Sequence, residues 1–516
     1  MRDGDSSILR PEHPAARPLA TLVAEFGLES RGPVEGVEIT GITLDSRGVL
    51  PGDLFVGLRG AHRHGAALAV AARDAGAVAV LTDAEGAALE EVAASGLPVV
   101  VVESPRDALG DISAWVYRTR EHAPLMLGVT GTNGKTSVSY LLHGMLTQLG
   151  LVAGLSTTAE RAIGDLAVTS ELTTPEATEI HGLLARMRES EVRAVTLEVS
   201  AQALSRRRVD GLVFDVVAFL NLSRDHFDDY ADMDEYFEAK LPLFSPDRAR
   251  RAVVSLDTEW GQRVVDSCHI PVTTISSRDG VAADWNVRVT EETVEYTAFE
   301  LTGPDGRSVA SRVGIIGRHM AANAGLAIVM LVEAGFELEA IGHVLDRDGE
   351  LIARLPGRVE RVSGDRGPVL YVDYGHSPDA FLVTLDAVRH VVPGRLIMVF
   401  GADGDRDTGK RGEMGRIASE GADVVIITDY NPRFEEPAGI RAALLEGAAS
   451  AAHPAEIHEV AQQRDAIRLA VSIAREGDGI LWAGPGHEDY IDVQGQKIPF
   501  DAREEARQAL REAGWE

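Results

Sequence analysis

The 516-residue chain has a single cysteine, Cys268, which excludes an internal disulfide, a cysteine-rich zinc site and an iron–sulfur cluster, and which suits a reducing compartment. No stretch reaches 18 apolar residues, and the first seventeen positions carry charges and prolines where a secretion signal would be apolar. Neither a membrane span nor export is expected. Positive charge is also scarce: 50 Lys+Arg stand against 80 Asp+Glu, a net charge of −30. An acidic surface of this size repels polyphosphate backbones, so nucleic-acid binding is not expected, and any anionic ligand must be held by a few focused cations. Internal repeats and low-complexity tracts are absent. What remains is 45% apolar and 25% charged, an ordinary globular balance, and the length suggests about three domains. A monomeric cytoplasmic enzyme is the expected class.

The pattern is α/β throughout. Short β-like runs (Val37 to Thr40, Asp53 to Val56, Ala77 to Leu81, Val99 to Val102) alternate with an Ala-rich helical stretch around Ala66 to Ala75, and a helical segment then leads from Pro105 toward Pro124. The apolar run Leu125 to Thr130 reads as a strand ending in a Gly-rich turn, and Thr136 to Leu149 as a helix stopped by Gly150. Further strands read at Ala194 to Val199, Val213 to Leu220 and Ala252 to Leu256, followed by alternation over 284–301 that suggests a local antiparallel sheet. Past Leu355, strands at Val369 to Asp373, Leu396 to Phe400, Val424 to Thr428 and Ile480 to Ala483 are separated by helical patterns, the alternation of an open parallel sheet. Ligands bind such sheets beyond the carboxyl ends of the strands, which here carry 374–378, 402–411, 429–436 and 485–490. Domains of 1–121, 122–354 and 355–516 are expected.

The strongest chemical signal is Gly128-Val129-Thr130-Gly131-Thr132-Asn133-Gly134-Lys135-Thr136, between a strand and a helix. Glycines let backbone N–H groups converge on phosphate oxygens, the helix N-terminus adds its dipole, Lys135 offsets phosphate charge, and the Thr136 hydroxyl can reach Mg²⁺. Glu198 closes a strand, and a carboxylate beside a P-loop suits Mg²⁺ bound to ATP. Asp232 with Glu235 forms a capping-box-like start to a short helix reaching Lys240, which by itself reads as an exposed helix lysine.

The spelling Gly131-Thr132-Asn133-Gly134-Lys135-Thr136 resembles the Mur ligases, ATP-dependent amino-acid-adding enzymes of peptidoglycan synthesis. The resemblance spans about 450 residues and is strongest to the tripeptide-synthetase branch. Its motifs stand here as Asp45-Ser46-Arg47, Leu172-Thr173-Thr174-Pro175-Glu176, Leu197-Glu198-Val199-Ser200, Asn221-Leu222-Ser223-Arg224-Asp225-His226, Tyr236-Phe237-Glu238-Ala239-Lys240, Asp405-Arg406-Asp407, Asn431-Pro432-Arg433 and Gly486-His487-Glu488. The resemblance implies a three-domain architecture with a central P-loop ATPase-like domain and a C-terminal Rossmann-like parallel sheet. It also implies ATP as co-substrate, Mg²⁺ as cofactor and UDP-MurNAc-L-Ala-D-Glu as acceptor of a diamino acid.

By the same resemblance, Gly131, Thr132, Asn133, Gly134, Lys135, Thr136, Asn323, Arg358, Asp373 and His376 hold ATP. Thr136, Glu198, His226 and a carbamylated Lys240 hold metal, and Lys135, Lys240, Glu198 and His226 form the catalytic set. Ser46, Arg47, Thr173, Thr174, Ser200 and Arg208 belong to the uridine-nucleotide acceptor, and Asn431, Arg433, Gly484 and Glu488 to the amino acid. A buried arginine facing no carboxylate is costly, so Arg433 favours a diacid, meso-diaminopimelate. Tyr430, where diaminopimelate-adding relatives have aspartate, leaves lysine or ornithine open. Gln202, Tyr430 and Pro485 depart from the family pattern and also admit a nucleotide-binding paralogue without ligase activity, and the scaffold alone would suit a folylpolyglutamate-synthetase-like enzyme.

Overall fold

Where apolar runs are unbroken, the chain makes strands at the expected places. The computed structural model describes residues 10–164, 166–170, 172–227 and 229–515, so part of the N-terminal stretch expected to lack a secretion signal lies outside the described residues. The chain forms two compact units: one holds the residues up to Gly128 with Leu151–Asp215 and Ser245–Arg250, the other Val129–Gly150, Val216–Phe244 and everything from Arg251.

In the first unit a five-stranded sheet runs in the order Glu29–Arg31, Val99–Val101, Ala79–Thr82, Asp53–Gly57, Gly41–Thr43, parallel except for its first strand. Helix Pro105–Tyr117 starts where the Ser104 hydroxyl accepts from Asp107 N and proline occupies the first turn. It stops at Tyr117, short of Pro124, because Arg118 turns left-handed (φ 54°). Its Leu109, Ile112 and Val116 are buried with Leu22, Ile42, Leu54 and Leu81, each contributing about 1.5–3 kcal/mol of apolar burial. A second set of strands pairs Ala194–Glu198 parallel to Ala153–Ser156, which is antiparallel to Glu160–Ile163 and followed by Leu166–Thr169. Glu198 therefore sits at a strand end, fully buried, and two residues on Ser200 caps helix Ala201–Ser205.

In the second unit the strand Leu125–Thr130 delivers the chain into Gly131, and helix Lys135–Gln148 begins at Gly134 (φ 88°). Strands Ala249–Ser255, Val272–Ser276 and Trp285–Glu292 are parallel. The alternation over 284–301 then becomes an antiparallel meander through Thr297–Thr302 to Ser308–Val313. The C-terminal sheet has the order Glu360–Arg361, Val369–Asp373, Gly479–Ala483, Leu396–Phe400, Val424–Ile427, Glu456–Glu459, parallel after its first strand. Leu370, Val372, Ile397, Val399, Ile426 and Trp482 fill its core against Ile467 and Leu510. The polar segments after these strands share one edge of the sheet.

Candidate active site

The P-loop of the second unit is held by side chains about ninety residues further along the chain. Asn221 Oδ1 accepts from Asn133 N (2.9 Å) while Asn221 Nδ2 donates to Asn133 O (3.0 Å), and Ser223 N donates to Thr132 Oγ1 (3.0 Å). Gly131 is required by close approach: a Cβ there would stand 2.9 Å from Leu220 Cβ. Gly134 faces Asn323, whose Oδ1 would lie 3.1 Å from an added Cβ, so the helix carrying Asn323 reaches the loop. Lys135 Nζ donates to the carbonyls of Gly131 (3.0 Å) and Thr132 (2.9 Å). Arg358 donates to the Thr136 hydroxyl at 2.8 Å and stacks 4.4 Å above the Tyr374 ring.

Lys240 is 2% exposed and lies two residues past the end of helix Met233–Glu238, not on a solvent face. The Asp232 carboxylate does cap that helix, accepting from Glu235 N. Lys240 Nζ donates to Gly131 O at 3.2 Å and sits 4.5 Å over the Tyr236 ring. Burial and the neighbouring Lys135 charge hold its ammonium well below the usual lysine range. Both causes favour the neutral amine over the ammonium.

Beside it, Asp225 is buried, which by itself would raise its pKa; the charges of His226, Lys410 and His376 outweigh that and bring it down to about 2. His226 takes a left-handed backbone (φ 58°), its N–H bound to Asp225 Oδ1 (3.0 Å) and its ring packed edge-on to Tyr236. Among the described residues no three His, Cys, Asp or Glu side chains form a ready metal cage.

Asp373 accepts from Val359 N (3.0 Å) and Gly375 N (2.8 Å), so both its oxygens hold backbone. His376 pairs Nδ1 with Tyr374 O. Asn431 and Arg433 both adopt left-handed backbones, pinned by the hairpin strand Tyr490–Val493 through Asp492 N to Asn431 Oδ1 (2.8 Å) and Arg433 N to Asp492 O (3.0 Å). Glu488 Oε2 accepts from Tyr430 OH (2.7 Å) and Asn431 Nδ2 (2.9 Å), and burial raises its pKa. Gly484 (φ 117°) lies against the Tyr430 ring, with its N–H on Asp373 O. Arg433 faces Asp403 at 3.5 Å.

In the first unit, Glu198 accepts from Thr158 N and Thr158 Oγ1, both at 3.0 Å. The Thr158 hydroxyl also reaches Thr173, and that of Thr174 donates to Glu198 O (2.8 Å) and Ser200 Oγ (3.3 Å). Arg208, nearly buried, donates to Glu176 (2.9 Å) and Thr174 O (3.2 Å). Ser46 lies on the Asp45–Arg47 turn, where Arg47 grips Asp45 with Nε and a terminal nitrogen and lowers its pKa. Sequence reading did not single out Asn221, Asp403 or Tyr374. All three lie within or beside motifs or segments at strand ends, and the signal that could have found them is a polar side chain within three residues of the end of an apolar strand.

Three family models match the chain: the Mur ligase family catalytic domain over residues 38–117, the Mur ligase middle domain over 129–331, and the Mur ligase glutamate ligase domain over 357–486. The chain is 62% identical to a UDP-N-acetylmuramyl-tripeptide synthetase of Leifsonia xyli, with 99% of each chain covered. It is 42% identical to a UDP-N-acetylmuramoyl-L-alanyl-D-glutamate--2,6-diaminopimelate ligase of Streptomyces avermitilis, with 98% of each covered. A solved structure of a ligase with that second name superposes with a TM-score of 0.66 at 28% identity, covering 97% of this chain and 100% of the other. With relatives this similar along its whole length and three family models matching in order, the chain belongs to the Mur ligase family.

Proposed function

We propose that the chain, as a cytoplasmic monomer, joins a diamino acid to the D-glutamate γ-carboxyl of UDP-MurNAc-L-Ala-D-Glu, with ATP as co-substrate. As a Mur ligase it is an ATP-dependent ligase of peptidoglycan-precursor synthesis, and the names of its relatives at 62% and 42% identity support this step. One carboxylate oxygen attacks the γ-phosphorus of ATP and ADP leaves, giving an acyl phosphate. The amine of the diamino acid then attacks the acyl carbon, phosphate departs with the C–O electron pair, and the amine proton passes to it. The protein's share is positioning and charge neutralisation.

The observation that carries this reading is the cradle of Gly131, Lys135 and buried Lys240. Lys135 offsets charge on the transferring phosphoryl group; Gly131 to Thr136 and Asn323, with Arg358, Asp373 and His376, are assigned to ATP, Asp373 by ordering backbone. Mg²⁺ bound with ATP would neutralise phosphate charge. Its assigned donors are the Thr136 hydroxyl, His226 and a carbamate on Lys240, with Glu198 assigned from its motif. The buried neutral amine fits the carbamate, because only an unprotonated amine adds to CO₂, forming the C–N bond and releasing a proton. Ser46, Arg47, Thr173, Thr174, Ser200 and Arg208 are assigned to the acceptor side; there Arg208 would act by ordering Glu176 and Thr174. Asn431, Arg433, Gly484 and Glu488 are assigned to the amino-acid side. Domains of 1–121, 122–354 and 355–516 are proposed, and the three family matches fall inside them.

ADP release should require both the uridine dipeptide and a diamino acid. ATP hydrolysis independent of both would overturn the proposal.

A further inference from the structure

Tyr430 stands beside the two residues assigned to the amino acid's far end, and its surroundings bear on which amino acid is used. Its ring is buried, and its hydroxyl donates to Glu488 at 2.7 Å. Asn431 Nδ2 reaches the same oxygen at 2.9 Å, and the Tyr374 hydroxyl lies 3.4 Å from the other. Glu488 is therefore oriented by three neutral donors, and among the described residues no Lys or Arg pairs with it. Arg433, expected to await a substrate carboxylate, has Asp403 3.5 Å from its guanidinium. Glu435 is not available to take over that carboxylate, because both its oxygens hold Arg411. The cluster thus holds two carboxylates, Asp403 facing the Arg433 guanidinium and Glu488 held by neutral donors.

A diamino diacid entering this cluster would bring a second carboxylate to a guanidinium already facing Asp403, with Glu488 close by; like charges so placed oppose binding. A diamino acid with one carboxylate lacks that second negative charge, so its distal ammonium can pair with Glu488 without bringing an anion against Asp403. We infer that Tyr430 and Asp403 are specificity-determining residues that select a diamino monocarboxylic acid over meso-diaminopimelate: Tyr430 by filling and orienting the space at Glu488, Asp403 by occupying Arg433. The inference rests on the ligase reading above.

The test is ADP release by the full-length enzyme with the uridine dipeptide, comparing L-lysine, L-ornithine and L-2,4-diaminobutyrate with meso-diaminopimelate. At least one monocarboxylate should exceed meso-diaminopimelate in kcat/KM by about tenfold or more. Asp403→Asn should shift that ratio toward meso-diaminopimelate by about tenfold, by freeing Arg433. Tyr430→Phe should raise KM for the preferred amino acid by about three- to tenfold while KM for ATP stays unchanged. Wild-type preference for meso-diaminopimelate overturns the inference and leaves the ligase reading intact, and an Asp403→Asn ratio equal to wild type removes Asp403 from it. Failure of every amino acid to elicit ADP release overturns the ligase reading, and the inference with it.

Discussion

Lys240 and Arg208 are two buried basic residues, one in each unit, and the protein treats them in opposite ways. Arg208 lies against Glu176 and a threonine carbonyl, and Glu176 is shared with Arg106. Guanidinium stays charged at any attainable pH, so it is buried only with a partner of opposite sign. Lys240 has a carbonyl and a tyrosine face but, among the described residues, no carboxylate in ion-pair range. Its environment disfavours the charge instead of balancing it, chiefly by burial and then by the neighbouring Lys135. A balanced cation serves as a fastener, whereas an amine stripped of its proton is available for bond formation. Burial alone does not separate these outcomes; the sign of the neighbours does.

The largest expected effect comes from removing the positive neighbour of Lys240. Lys135→Ala deletes the cation proposed to offset phosphate charge and the positive neighbour of Lys240, so turnover measured as ADP release should fall by more than about 10²-fold while the circular dichroism spectrum is retained. Near-normal release would break the contrast at its root. Lys240→Ala should lose about 10²-fold, and added acetate or formate should restore part of it by supplying oxygens in the vacated space; wild-type activity in this variant would make Lys240 a fastener after all.

A third buried base sharpens the comparison. His181, bonded to Thr119 Oγ1 and near Asp210 O, is held at about 4, chiefly by burial. The unfolded chain takes up this proton near pH 6.5 and the folded one does not, so stability is complete above that value and declines as pH falls toward 4. The loss should reach about 3 kcal/mol, seen as a lower urea midpoint, and His181→Gln should flatten that slope. A flat profile in wild type would show that the ring is charged when buried. Arg208→Ala should have the smallest effect, about 2 kcal/mol of stability, because Arg106 remains on Glu176. Unchanged melting would mean the pair contributes nothing.

Much of the framework was legible along the chain. Leu125–Thr130, Val369–Asp373 and Leu396–Phe400 fall where their apolar runs end, since a strand covered on both faces needs an unbroken run. Glu160–Ile163, Leu166–Thr169 and the hairpin Tyr490–Val493 with Gln496–Pro499 were not. The second of these and the hairpin are largely exposed or half-exposed, so selection for an apolar face leaves no alternation to read. The P-loop was readable because its spacing is its mechanism. The burial of Lys240 was not, because Gly131 O, which accepts its hydrogen bond, lies 109 positions away. The Arg433–Asp403 contact spans 30 residues and belongs to tertiary structure alone.

Asp373 deserves to be followed into mechanics. Its side chain ties Val359 N and Gly375 N, and its carbonyl ties Gly484 N and Gly486 N. Gly357 packs so closely on Gly486 that a Cβ there would lie 2.0 Å from its carbonyl carbon. One residue thus works as a rivet through three layers of loop. Arg358 is bracketed by riveted neighbours, so its reach toward Thr136 is geared to the position of Tyr374 and of the strand ends that carry Glu488. The Arg358–Thr136 hydrogen bond thus hangs on a guanidinium whose two chain neighbours are both fastened, one to the Asp373 side chain and one against Gly486.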